Sequence, residues 1–417
     1  MLINKTIVLG ITGGIAAYKA ADLASKLTQA GAKVRVIMTK AALEFVTPLT
    51  FEAVTTNSVI TDMFRTDAEH RINHVALSEI ADLVVIAPAT ADIIAKIANG
   101  LAEEMLTTTV LATRSPVIIV PAMHSGMWLN QITQENSTRL KNRGFYFIEP
   151  EVGRLASGGY GPGRFPDTDT IIGHIRKVLG RKGDLAGQHL VVTAGGTQEP
   201  IDPVRMITNR SSGKMGYAIA EAARDRGAEV TLITTPTNIA KPAGMEIVPV
   251  KTVVQMKEAV EKAVIQTGAL IMAAAVSDFR VKNIAENKIK KEKGELTLEL
   301  VNTPDILSEV KGNFLKIGFA AESQDLIANA KKKVEKKKLD LIVANNITEE
   351  NSGFNVDTNK VTIIDKSGRI DNLPLMSKRE VADEILDRII LLLKEKPKIK
   401  LLIPKQHRSP RSKKGNI

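Results

Sequence analysis

The stretch GAKVRVIMT at 31–39 returns as GAEVTLITT at 227–235. Each follows an amphipathic helical segment, opens on a Gly-Ala pair and runs through β-branched residues to a threonine. Ahead of the first lies KTIVLGITGGIAAYKAADLASKLTQA, a buried strand, a glycine turn and a helix; ahead of the second lie QHLVVTAGGTQEP and GKMGYAIAEAARDR. An apolar strand that feeds a helix and returns to a second apolar strand closes into a parallel sheet covered by helices on both faces. The expected fold is therefore α/β, with two doubly wound, mostly parallel-sheet, Rossmann-like domains. Further strands are expected at ADLVVIAPAT, SPVIIVPAM, GALIMAAAVSD, LKIGFAAES and LDLIVANNI, each ending in small or polar residues where such sheets bind ligands.

Two such units need two cores, and 417 residues with 44% apolar content supply them, since a single core stops growing near ~250–300 residues. The Gly- and charge-rich stretch KVLGRKGDLAGQ at 177–188 marks the boundary, giving units at 1–186 and 187–395. Residues 394–417 hold nine Lys or Arg against one acid, eight of the eleven net positive charges, so the folded body is only mildly basic. Residues 396–417 read as a basic, disordered tail. Aromatic residues make up 4% of the chain and form no stacking platform, which argues against a nucleic-acid partner. The absence of cysteine excludes a disulfide framework, a thiolate metal site and a cysteine nucleophile. The amino terminus, MLINKTIVLGITGG, runs straight into a strand without a basic-then-apolar leader, and no apolar stretch nears the ~18 residues of a membrane span. The expectation is a soluble, cytoplasmic protein with no membrane partner.

A dinucleotide fingerprint would need G-x-G-x-x-G and an acid at the end of the second strand. Here the turn reads Gly10-Ile11-Thr12-Gly13-Gly14 and the second strand ends in Met38-Thr39, and there is no Walker lysine. An NAD(P)-dependent oxidoreductase is thereby disfavoured. What remains is a glycine turn feeding a helix amino terminus, which cradles a single phosphate through backbone N–H groups. Gly13 and Gly14 serve equally well for close strand–helix packing. With the hydroxyls of Thr12 and Thr39, and Pro88, Ala89 and Thr90 in APATAD, the set suits a mononucleotide such as FMN better than NAD. A second rival, a non-enzymatic nucleotide-sensing or nucleic-acid-binding protein, rests only on the basic tail.

HVALSE around His74, PAMHSGMW at 121–128 and ASGGYGPGR at 156–164, with Gly13-Gly14 and APATAD, resemble the homo-oligomeric flavin-containing cysteine decarboxylases. AGGTQEPIDPVRMITNRSSGKMG at 194–216 and AENKIKK at 285–291 look like phosphopantothenate-cysteine ligase. In this order they resemble the bifunctional bacterial coenzyme A biosynthesis family, over about residues 5–393. The resemblance implies a flavodoxin-like flavoprotein followed by a ribokinase- or Rossmann-like ligase domain. In the first, FMN oxidises the cysteinyl thiol carbon to a thioaldehyde, carbon dioxide leaves to give an enethiolate, and the reduced flavin returns the electrons. His74 is implied in the oxidation and decarboxylation. Met123 and His124 stand where the family commonly has a Met-Asn pair that binds the substrate carboxylate. Ser157 replaces a frequent Cys linked to protonating the enethiolate, so His124 is expected to supply that proton. Arg164 is assigned to the substrate phosphate or to the packing of the lid, the glycine-rich loop that closes over the substrate. A chain in which only the ligase half is fully active is the alternative.

In the ligase half the resemblance implies CTP and Mg²⁺: the phosphopantothenate carboxylate attacks the α-phosphorus, pyrophosphate leaves, and the cysteine amine displaces CMP from the acyl-cytidylate. Lys288 matches the essential lysine, Asn209 the group that handles the acyl-cytidylate, and Arg205 an adjacent cation. Ser211, Ser212 and Gly213 form a phosphate-cradling turn. Met272, Ala273, Ala274, Asp278, Pro304, Asp305, Ile306, Leu307, Phe319, Lys333 and Lys337 match nucleotide positions. No metal ligands are assigned. Trimeric decarboxylase contacts and dimeric ligase contacts imply a dodecamer acting on small-molecule substrates.

Overall fold

The computed structural model describes residues 2–63, 74–291, 296–322, 325–346 and 356–395; the expected tail at 396–417 lies outside them. In the amino-terminal unit, β1 (Thr6–Ile11), β2 (Lys33–Met38), β3 (Leu83–Ala89), β4 (Val117–Pro121) and β5 (Tyr146–Phe147) form a parallel sheet in the order β2-β1-β3-β4-β5. Alternation along β1 decides its packing: Ile7, Leu9 and Ile11 join one core with Leu23, Val34 and Ile175, while Val8 joins the other with Ile86, Ile93 and Ile119. Helices Lys19–Gln29 and Thr168–Gly180 cover the first face; Ala91–Asn99, Met105–Ala112 and Gln131–Asn142 cover the second. β3 is buried at every position, as a central strand covered on both faces must be. Because β2 and β3 lie on opposite sides of β1, the connections after β1 and β3 leave toward opposite faces, which opens a crevice at the carboxyl ends of these strands.

After this sheet the chain forms an antiparallel hairpin, β6 (Glu151–Arg154) and β7 (Tyr160–Arg164). The second unit contributes β8 (His189–Ala194), β9 (Gln198–Pro200), β10 (Met206–Thr208), β11 (Glu229–Thr234), β12 (Glu246–Pro249), β13 (Ala269–Met272), β14 (Phe279–Val281), β15 (Leu300–Asn302), β16 (Leu315–Glu322), β17 (Leu341–Asn346), β18 (Thr358–Asn359), β19 (Val361–Asp365), β20 (Ile370–Asn372) and β21 (Met376–Ser377). Eight of these make one sheet, β12-β11-β8-β13-β16-β17-β19-β20, parallel as far as β17 and antiparallel beyond it. Its switch point lies at β8, flanked by β11 and β13. The five strands expected from the apolar runs are β3, β4, β13, β16 and β17.

The units meet where helix Thr168–Gly180 packs on helix Lys214–Asp225. Gly173 leaves room there for Ala243 and the Arg224 guanidinium. Arg224 is fully buried, pairs with Asp225 at 2.7 Å and donates to the Ala243 carbonyl. Asp225 also accepts from Arg379 at 2.8 Å, which ties in the last helix, Lys378–Glu395. Among the described residues no helix is long and apolar enough to cross a membrane.

Candidate active sites

The crevice at the carboxyl ends of β1 and β3 is a cavity of about 630 Å³ whose walls include Thr12, Gly13, Thr39 and Thr90. Thr12 Oγ1 donates to the Pro88 carbonyl at 2.8 Å and accepts from the Thr90 N–H at 3.1 Å, locking the two strand ends together. Thr39 and Thr90 each cap the helix that follows, accepting from Ala42 and Ile93 N–H at 3.3 Å, and such capped helix starts favour anions. A Cβ on Gly13 would collide with Ala41, so glycine is required for the close approach. Gly14 differs from the expected tight turn: its backbone is extended, and a single 3₁₀ turn, Ile15–Tyr18, separates it from helix Lys19–Gln29. Pro88 and Ala89 act through their backbones, and the Ala87–Pro88 peptide is cis. The sequence reading missed the charged rim of Asp92, Lys96, Glu103 and Glu104. Burial pushes the Glu104 carboxyl up against the pull of Lys96, and the Asp92 hydrogen bond raises Lys96. Asp92 and Lys96, four apart, read in sequence as an ordinary helix-surface pair.

The decarboxylase candidates outside this cradle sit on other elements. Ser157 is exposed in the turn of the β6–β7 hairpin, closed by Leu155 N–H to Gly159 carbonyl at 2.8 Å. Sequence suggested that the hairpin glycines serve mobility; two of them serve close packing. Gly163, at φ +136°, has no room for a Cβ against the Met123 carbonyl, and a Cβ on Gly161 would stand 2.5 Å from Ser125 Oγ. Met123 N–H donates back to Gly163 at 3.0 Å. Arg164 pairs with Glu151 at 3.7 Å and Asp167 at 3.5 Å, at the hairpin base. His124 caps Ser125–Trp128: its Nδ1 accepts from Gly126 N–H at 3.1 Å, which places the ring proton on Nε2. An imidazolium, with Nδ1 also protonated, would forfeit that cap. His74 opens helix His74–Ile80 and is half-buried. His74, Met123, His124, Ser157 and Arg164 line neither cavity described here.

The second cavity, about 670 Å³, opens at the carboxyl ends of β13 and β16 and takes in every expected ligase residue except Arg205 and Lys288. One wall is the turn Ser211, Ser212, Gly213, with Gly213 at φ +79° as N-cap of helix Lys214–Asp225. A Cβ on Gly216 would lie 2.6 Å from that of Ala194, so the helix start presses onto the end of β8. Asn209 Nδ2 donates to the Val276 carbonyl at 2.9 Å, fixing the turn to the Met272, Ala273, Ala274 floor. Asp278, Pro304, Ile306, Leu307 and Phe319 line the same space. Asp305 caps Ile306–Glu309 and accepts from Lys337 at 3.0 Å; burial works to raise its carboxyl, but Lys337 and Ser308 hold it below the usual range. Lys333 lies one turn earlier on the helix of Lys337, Leu326–Lys337. Lys316 braces this loop by donating to the Leu307 and Val310 carbonyls at 2.8 and 2.5 Å.

Arg205 and Lys288 are held elsewhere by Asp202, a residue the sequence reading did not assign. Its carboxylate, fully buried, accepts from Val204, Arg205 and Ile289 N–H groups and from the Arg205 guanidinium at 2.6 Å. Burial raises this carboxyl, but the hydrogen bonds outweigh burial and lower it. Arg205 also donates to the Ile289 carbonyl at 3.1 Å, so the segment bearing the exposed Lys288 is clamped to the Ile201–Arg205 turn. An Asp ahead of Pro203 in IDPVR carries the signal of such a turn. Among the described residues, no group of three or more His, Cys, Asp or Glu is placed to hold a metal ion.

A Flavoprotein family model matches residues 1–180, and the DNA/pantothenate metabolism flavoprotein C-terminal domain matches 185–392. The coenzyme A biosynthesis bifunctional protein CoaBC of Bacillus subtilis (strain 168) is 46% identical over 401 residues, 95% of this chain and 99% of that protein. The chain belongs to the bifunctional coenzyme A biosynthesis family. A second member, from Mycolicibacterium smegmatis, is 43% identical over 413 residues, covering 94% of this chain and 99% of that protein. A crystal structure of the C-terminal domain of a bifunctional protein CoaBC is 40% identical over 51% of this chain and 100% of that one, with a TM-score of 0.45. As a family member the chain is a flavoprotein and a bifunctional enzyme of coenzyme A biosynthesis, with a decarboxylase and a ligase on one polypeptide.

Proposed function

We propose that residues 187–395 join 4'-phosphopantothenate to L-cysteine at the expense of CTP, and that residues 1–186 decarboxylate the product with FMN to give 4'-phosphopantetheine. The observation that carries this reading is the second cavity, which brings an anion-binding helix start, a small-residue floor and a lysine-bearing helix around one space. Ser211, Ser212 and the Gly213 turn seat phosphate oxygens. Asn209 orients the acyl-cytidylate, and Lys333 and Lys337 flank the nucleotide. Arg205 and Lys288, clamped together through Asp202, act as a unit that approaches the cavity mouth when substrate is present. Mg²⁺ enters as the counter-charge that accompanies the triphosphate.

The first cavity fits a flavin mononucleotide: a glycine that admits no side chain, two capped helix starts and a locked Thr12 give a cradle for one phosphate. Bound FMN supplies a two-electron oxidation of the cysteinyl end and later returns the electrons. His74 assists loss of the carboxylate. His124 offers its Nε2–H to the substrate and, once Nδ1 is protonated at the cost of its cap on Gly126, supplies as an imidazolium the proton that Ser157, a far weaker acid than a thiol, delivers poorly. The hairpin shields this chemistry from water. A homo-oligomer with trimeric decarboxylase and dimeric ligase contacts, up to a dodecamer in the cytoplasm, fits a cradle whose reactive groups lie on elements outside it.

Incubating the purified protein with 4'-phosphopantothenate, cysteine, CTP and Mg²⁺ tests the reading by mass: CMP reports the ligase, carbon dioxide the decarboxylase. A protein that stays colourless after flavin addition and leaves CTP intact overturns it. For the proton source, His124→Asn is expected to stop formation of 4'-phosphopantetheine. Should that variant remain active while Ser157→Ala is dead, the assignment to His124 is wrong.

A further inference from the structure

Two lysines that the sequence reading did not single out stand on the second cavity beside the Ser211, Ser212, Gly213 turn. Lys214 begins a helix of 12 residues, and its Nζ donates to Asp357 at 2.6 Å. Lys378 begins a helix of 18 residues, is only 6% exposed, and its Nζ donates to the Val356 carbonyl at 2.5 Å. The two helices pack on each other, and the short β18–β21 pairing with the Lys378 N–H to Asp357 carbonyl bond at 2.9 Å fixes their starts in place. One cavity wall thus gathers two helix amino termini and two ammonium groups.

Holding an ammonium out of water is costly, and the cost is offset when an anion shares the site. Burial is the main reason the Lys378 ammonium is pulled down to about 8; Lys214 adds to the effect and Asp357 opposes it. Two helix amino termini and a second lysine make the same space favourable for phosphate oxygens.

We infer that Lys378 is a further substrate-binding residue of the ligase, and that its ammonium, with Lys214, takes phosphate oxygens of the substrate seated on the Ser211–Gly213 turn. The inference rests on the ligase reading above and adds to it a cation from the last helix of the chain. The phosphate belongs either to the triphosphate of CTP or to the phosphomonoester of phosphopantothenate.

The test compares wild type with Lys378→Met and Lys378→Arg, all as full-length protein with flavin bound. Wild-type CTP turnover comes first, since without it the ligase reading itself falls. Lys378→Met is expected to raise the KM of one phosphorylated substrate about tenfold or more, in line with a lost charge-assisted hydrogen bond. Lys378→Arg should recover most of that loss, and the KM for cysteine should not move. The substrate whose KM rises identifies the phosphate: CTP, with a matching loss of inhibition by inorganic tripolyphosphate, or phosphopantothenate without it. If Lys378→Met lowers the melting temperature enough to unfold the ligase unit, Lys378→Gln, which keeps a donor for the Val356 carbonyl, replaces it with the same reading. Unchanged KM values for both phosphorylated substrates, or an arginine variant as impaired as the methionine one, overturn the inference.

Discussion

The two cavities are similar in size, about 630 and 670 Å³, yet they are furnished differently. In the second, the groups that would touch substrate sit at strand ends, on the turns beyond them and on the helix Leu326–Lys337 of one unit, so folding of the unit assembles nearly all of them. In the first, folding assembles only the cradle. His124 and Ser157 ride on a segment and a hairpin beyond the sheet, and His74 on a helix whose approach, residues 64–73, lies outside the described residues. A crevice beyond the carboxyl ends of parallel strands is a general solution for binding a nucleotide, and each unit has one, at the switch between β1 and β3 in the first and at β13 and β16, beside the switch at β8, in the second. Placing reacting groups is not general, and here the two units solve it in different ways.

The largest effects are expected from removing one reacting group per unit. His74→Asn should lower carbon dioxide release by about 10²–10⁴-fold, the range for a positioned acid or base, with CMP release untouched. Lys288→Gln should lower CMP release by a similar factor while leaving intact the decarboxylation of 4'-phosphopantothenoylcysteine supplied directly, so each activity is read with its own substrate. If either variant lowers both activities, the two cavities are not independent. Hybrid oligomers of His74→Asn and Gly13→Val chains should regain decarboxylation if a neighbouring copy completes the first site, and should stay inactive if one chain suffices. A smaller effect is expected at the hairpin. Gly163→Ala places a Cβ against the Met123 carbonyl at a φ that only glycine tolerates, at a cost above about 1 kcal/mol. Decarboxylation should drop at least tenfold as β7 lifts from Met123, while ligation and its KM values stay as in wild type.

The same contrast explains what the sequence disclosed. The repeated strand–helix–strand units and the strands β3, β4, β13, β16 and β17 were legible because buried parallel strands are uninterrupted apolar runs. Of the expected ligase residues, Met272, Ala273, Ala274 and Phe319 lie on or just beyond β13 and β16, whereas Asn209, Ser211–Gly213, Pro304–Leu307, Lys333 and Lys337 were legible only through the motifs that carry the resemblance. Asp202, Lys214 and Lys378 were not legible: each acts through a partner distant in sequence, Ile289, Asp357 and Val356, and a charged residue in a turn or at a helix start carries no sign of that. The glycine-rich loop reads in sequence as a closing lid because sequence cannot distinguish a glycine that must bend from one that must let a neighbour in, as Gly163 does for Met123.

The pH dependence of ligation sharpens the comparison further, since none of the described lysines lining the first cavity is buried as Lys378 is. The charged groups facing Lys378 are Lys214 and Asp357; Glu380, on its own helix, is bonded to Ser377. Loss of the proton near 8 removes a positive charge from the phosphate site, so the KM of the phosphorylated substrate should rise above about 8 and level off near the value of the Lys378→Met variant. Lys378→Arg, which stays charged, should show a flat profile. The stability effect has the opposite sign: between about 8 and the ordinary lysine value the unfolded chain holds more protons, so this group makes the unliganded protein more stable as pH rises.

The smallest effect is expected at Lys337. Its bond to Asp305 is partly exposed, with the side chains 28% and 40% accessible, and such pairs contribute about 0–1 kcal/mol. Lys337→Met should therefore shift the melting temperature by no more than a few degrees while raising the KM for CTP, because Asp305 keeps its cap through Ser308. Lys337 holds the Asp305 carboxyl below its usual range, so the stabilisation is present above the ordinary carboxylate value and is lost as pH falls through the lower folded one. Acid unfolding curves of wild type and Lys337→Met should accordingly converge at the acid end and separate slightly above it. Curves that coincide throughout, with KM for CTP raised, would mean that Lys337 serves the nucleotide alone and that the loop from Pro304 to Leu307 is held by Lys316 and the Asp305 cap without it.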